Sequence, residues 1–139
     1  MRYVFSISKQ MAIFEALILI GLSDFLLSVA GGGRVIRTLQ NLCRPKSTNV
    51  PGNSCALLES LKESYSCAVH FYPRYIDCLP RSITLFLMAR RRGVPVRFKI
   101  SVRKYPFASH AWVDFDGPIL SDELTLIHSL AVVLTIPKC

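Results

Sequence analysis

The chain opens on an apolar run broken by only a few polar positions. Residues 9–30 (KQMAIFEALILIGLSDFLLSVA) place apolar side chains on most faces of one long helix, and Gly31-Gly32-Gly33 ends it. Residues 34–43 carry Val35, Ile36, Leu39 and Leu42 at helical spacing, a second and shorter helix. Residues 44–53 (RPKSTNVPGN) hold two prolines, a glycine and several polar side chains, the composition of a linker. Ser54 is positioned to cap a third helix that runs to about Phe71, with Leu57, Leu58, Leu61, Tyr65 and Ala68 on one stripe and Tyr72-Pro73 as its stop. A fourth helix begins near Cys78, tolerates Pro80 in its first turn and ends at Gly93. Its main stripe is Leu79, Ile83, Phe86 and Leu87; Leu85, Met88 and Ala89 carry apolar surface round the helix, which predicts deep burial.

After Gly93 the period changes from that of a helix to that of a strand. Val94, Val96, Phe98, Ile100 and Val102 alternate with Pro95, Arg97, Lys99, Ser101 and Arg103, the pattern of a half-buried strand. Tyr105-Pro106-Phe107 turns the chain into a second strand over 109–114, with His110, Trp112 and Asp114 on one face and Ala111 and Val113 on the other. Residues 119–122 predict a third strand, and 124–136 add another apolar, β-branched run. Helices followed by an antiparallel sheet make the fold class α+β. The expected organisation is an N-terminal helical segment (1–43), a linker (44–53) and a core (54–139).

Composition narrows this picture. At 139 residues and 51% hydrophobic the chain has material for one real core and too little for two. The net charge of +8 suits an acidic partner or surface without choosing one. Arg90-Arg91-Arg92 before Gly93 reads as a charged last helical turn complementing the dipole, so no nucleic-acid partner is expected. Residues 11–30 have the length of a membrane span. Glu15 and Asp24, however, lie on opposite faces of that helix, and each acid at bilayer depth costs roughly 2.5–3.5 kcal/mol. Glu15 also interrupts the run too early for a signal peptide. The expectation is a long buried or interface helix, with peripheral membrane contact as its alternative. Cys43, Cys55, Cys67, Cys78 and Cys139 are odd in number, contain no C-x-x-C and match no zinc spacing. Cys67-x-x-His70 lacks a second ligand pair, so no metal and no cofactor is expected, and unpaired thiols fit a reducing cytoplasm.

Candidate chemistry gathers between Cys78 and Asp122. A thiol at a helix start lies in the positive field of unpaired N–H groups, which favours the thiolate. His110 on a strand supplies a base, and an aspartate beyond it could orient that base. A three-residue Phe115-Asp116-Gly117 loop would bring Asp122 opposite His110 on one sheet face, whereas a two-residue turn would move it to the other. Asp114 and Asp116 share the parity of His110 and are rival partners, and the register count alone leaves the choice open. Arg81, within one turn of Cys78, and Trp112, beside His110, are the candidate substrate-binding residues, with packed core as the alternative for Trp112 and for Cys78.

The blocks CLPRS, RRRGVPVRF and PFASHAWVDFDG-PILSD, within residues 74–123, resemble the leader peptidases of lasso-peptide biosynthesis. That family belongs to the transglutaminase-like, papain-related superfamily of Cys-His-Asp enzymes. The resemblance implies a cysteine protease that removes the leader of a ribosomally made precursor. It also implies two partners, a separate small leader-recognition protein and an ATP-dependent macrolactam synthetase. Cys78 falls on the family's nucleophile, His110 on its base and Asp122 on its orienting acid, while Ser101 stands where the family commonly has glycine. No segment resembles the recognition module, so a stand-alone peptidase is expected. Amide transfer or deamidation by the same triad, and a non-catalytic membrane-associated scaffold, are the alternative functions.

Overall fold

The computed structural model describes residues 2–43, 52–115 and 130–136. Most of the expected linker (44–51) and the expected strand at 119–122 lie outside the described residues. Within them the chain forms α1 (Arg2–Ala30), α2 (Gly32–Leu42), α3 (Ser54–Phe71), α4 (Cys78–Arg91), β1 (Arg97–Arg103), β2 (Ala108–Asp114) and β3 (Ala131–Ile136). Helices then an antiparallel sheet, in the spatial order β2-β1-β3, bear out the α+β class.

Gly31 explains how the first two helices meet. Its φ of 80° is open to glycine at little cost, its N–H closes α1 on Leu27 O, and its carbonyl accepts the Val35 N–H that opens α2. α1 starts earlier than the apolar run suggested, since no glycine or proline interrupts residues 2–9. At α3 the cap is Asn53 rather than Ser54: the Leu57 N–H bonds Asn53 O, and Ser54 is already a buried helical residue. Tyr72 turns extended ahead of Pro73, as the ring of a following proline requires.

α4 is the centre of the molecule. Eight of its fourteen residues are buried, because it packs on α1 and α3 on one side and on β1 and β2 on the other. The rings of Phe86 and Phe98 meet at 5.8 Å across the helix–sheet seam. Its C-terminus is a Schellman motif, with Gly93 at φ 77°, Gly93 N–H on Arg90 O and Val94 N–H on Ala89 O. That motif also explains why β1 begins at Arg97 and not at Val94. The Val94 N–H is spent on the helix and Pro95 has none, so Val94 and Val96 are buried without joining the ladder.

α1 presents Ala12, Ala16 and Ile20 to this core; the two alanines let it lie close to its neighbours and Ile20 fills the core. Both of its acids are paired: Glu15 with Arg91 at 2.9 Å and Arg92 at 2.7 Å, Asp24 with Arg74 at 3.7 Å. Arg90 lies over the Phe86 ring, so the arginine run is used to fasten α4.

Candidate active site

Cys78 is the first residue of α4. Asp77, the N-cap, makes no side-chain cap bond, the first turn holds no acidic residue, and Pro80 brings no N–H. The helix thus opens on a half-buried free thiol, with the Asp77 carboxylate directly before it but not bonded to its first N–H groups. Arg81 Nε donates to the Tyr65 hydroxyl at 3.0 Å, which fastens this same turn to α3. One turn on, the buried Ser82 hydroxyl donates to Ala111 O at 2.7 Å.

That bond matters because Ala111 follows His110. The β1–β2 register pairs Ser101 with His110, Lys99 with Trp112 and Arg97 with Asp114, so these residues share one sheet face. Phe98, Ala111 and Val113 occupy the other face and enter the core. The parity expected for His110, Trp112 and Asp114 is the parity observed. His110 is partly buried, its ring stacked on Trp112 at 6.1 Å and 17°, and its buried Nε2 has no hydrogen-bond partner among the described residues. Opposite it, Ser101 Oγ is likewise buried and without a partner among those residues. The ladder to β3 shifts register between Ile100 and Ser101, a bulge at the position where the resembled family commonly has glycine.

Among the described residues no hydrogen bond joins Cys78 to His110; the two are related through the Ser82–Ala111 link. Asp114, one rival for the role of orienting acid, is 6% exposed and turns one oxygen to Lys99. Asp122, Asp116 and Gly117 lie outside the described residues. Trp112 is buried as a platform under the His110 ring, and Arg81 is engaged with α3. Ser82, Tyr65 and Lys99 were not singled out as partners by sequence. A serine on the buried side of an apolar helix, which must find an acceptor, was the available signal.

Residues 19–135 match the Transglutaminase-like superfamily. A 60-residue stretch is 33% identical to the microcin J25-processing protein McjB of Escherichia coli, covering 43% of this chain and 29% of that protein. The chain thus matches less than a third of that relative's length. No solved structure matches it significantly. With the family match running from within α1 to β3, across the thiol-bearing helix and the histidine-bearing strand, the chain belongs to the transglutaminase-like superfamily.

Proposed function

We propose that this chain is a cysteine peptidase that removes the leader from a ribosomally synthesised lasso-peptide precursor. The observation that carries the reading is the bond from Ser82 to Ala111 O, which holds the helix that opens on Cys78 against the strand bearing His110, whose Nε2 has no partner among the described residues. Membership of a superfamily built on cysteine chemistry and the partial likeness to a microcin-processing protein support it.

In this reading His110 Nε2 takes the Cys78 thiol proton and Sγ attacks the carbonyl carbon of the last leader residue. The peptide C–N bond breaks, and the departing amine leaves with the proton from His110. Water, deprotonated by His110, then attacks the thioester, releasing the leader as a carboxylic acid and restoring the thiol. The Cys78 backbone N–H is an oxyanion donor, and Asp122 holds the imidazole in its productive tautomer. The Cys78–His110 hydrogen bond forms when substrate binds, since catalytic hydrogen bonds are often long or absent in the free enzyme. None of these steps calls on a metal or a cofactor. A separate leader-recognition protein delivers the precursor in the cytoplasm, and an ATP-dependent macrolactam synthetase takes the product.

The test is mass spectrometry of a precursor peptide incubated with this protein and the recognition protein. Cys78→Ala and His110→Ala should each abolish leader removal with circular dichroism unchanged. Full cleavage by the folded Cys78→Ala variant would overturn the reading. Transfer of the acyl group to an added amine in place of hydrolysis would point to amide transfer.

A further inference from the structure

The outer face of α1 carries an apolar stripe from Met11 to Val29. Met11, Phe14, Ile18, Leu22, Phe25 and Val29 are each at least 50% exposed. Their spacing repeats after eleven residues, since 22, 25 and 29 follow 11, 14 and 18. An eleven-residue period nearly equals a whole number of helical turns, so the stripe runs almost straight along the helix for about 27 Å, where a heptad seam would wind to the left. A straight apolar line suits a flat surface better than a supercoiled partner helix.

α1 is long and apolar enough to cross a membrane, but its opposite face is committed to the protein core. Ala12, Ala16, Ile20 and Ser23 are buried, and α1 packs on α3 and α4, so crossing a bilayer would strip the helix from the rest of the core. Glu15 and Asp24 are both held by arginines, which leaves no unpaired carboxylate on the helix to repel an anionic surface.

Cations stand beside the stripe. A groove of about 260 Å³ is lined by Leu22 and Leu26 from the stripe side, by Arg34 and Leu42 from α2, and by Leu87 from α4. Arg34 and Arg37, three residues apart and so neighbours on α2, are exposed, and neither forms an ion pair among the described residues. Leu42 is 73% exposed and extends the apolar surface on that side.

We infer that α1 docks this protein in the plane of an anionic lipid bilayer, its stripe sunk to the acyl boundary and Arg34 and Arg37 on the headgroup phosphates. The inference does not depend on the chemistry of Cys78.

Vesicle flotation tests it with the full chain. The protein should float with phosphatidylcholine–phosphatidylglycerol vesicles and, by about tenfold, less with phosphatidylcholine alone, the difference shrinking at high salt. The double variant Phe14→Glu/Phe25→Glu should lose flotation by about tenfold or more while its melting curve is unchanged, because both rings are exposed. Arg34→Glu/Arg37→Glu should lose the preference for phosphatidylglycerol. Failure of the wild-type chain to float, or undiminished flotation of the phenylalanine variant, would overturn the inference. So would a dimer in size-exclusion chromatography that the same variant dissociates without any vesicle binding, since a second copy would then be the cover. Resistance of bound protein to alkaline carbonate would overturn the in-plane geometry in favour of a span.

Discussion

Asp114 and His110 stand on one face of β2, yet the carboxylate turns to Lys99, and its second oxygen is buried with no partner among the described residues. A carboxylate committed to an ammonium is poorly placed to orient an imidazole. Asp122→Asn should therefore lower turnover by a factor on the order of 10²–10⁴, as loss of the orienting acid does in serine triads. Asp114→Asn should leave kcat within a few-fold and act on stability instead, by about 1–3 kcal/mol in a urea titration. Equal turnover losses in the two variants would undo the distinction. Ser82 makes a sharper case for tertiary placement. Ser82→Ala leaves Ala111 O without its side-chain donor, and should cost about 1–3 kcal/mol in the same titration. It should also reduce kcat more than KM, since the helix turn bearing Cys78 is no longer held against the strand of His110. Unchanged kcat in a destabilised Ser82→Ala protein would mean that the link serves folding alone.

At the scale of elements, the helix ends were the most legible features. Gly93 ends α4 because a positive φ is needed there, and Gly31 joins two helices for the same reason. The N-cap of α3 and the start of β1 were each displaced: Asn53 O accepts the first helical bond at α3, and at β1 the Val94 N–H is committed to α4. Side-chain clips between helices lay beyond periodicity. Lys9 meets Glu63 at 2.6 Å and ties α1 to α3; its hydrogen bond, then its charge, hold the Glu63 carboxyl below the usual carboxylate range. A lowered folded-state pKa stabilises above the unfolded value and ceases to do so as pH falls through the folded one. The melting temperature of Glu63→Gln should thus lie slightly below that of the wild-type chain near neutral pH. The two should converge in acid below the carboxylate range. A gap that persists there would assign the effect to packing.

For the whole molecule, α4 is the element on which helices and sheet converge, and Phe86, fully buried against Phe98, lies at their junction. Phe86→Ala should cost about 3–5 kcal/mol, a large share of the stability of a domain this size, and lower the melting temperature accordingly. Phe14→Ala, at a ring that is 62% exposed, should change stability by no more than about 0.5 kcal/mol. Two aromatic residues in two apolar helices thus differ in effect through position alone. A large loss at Phe14 would show that the outer face of α1 is covered within the folded chain.

The sequence by itself determined the element types, the α+β order, most helix ends and the shared face of His110, Trp112 and Asp114. Those features follow from backbone periods and from residues adjacent in the chain, whose geometry is set within a few bonds. Only the tertiary structure decided the partners. Arg81 went to Tyr65, Asp114 to Lys99, Glu15 to Arg91 and Arg92, and Ser82 to the strand of His110. It also decided which side of an all-round apolar helix is buried. Such choices depend on which surfaces meet when distant elements pack, and a hydrogen bond or ion pair between residues as far apart as 77 positions leaves no periodic trace in the chain.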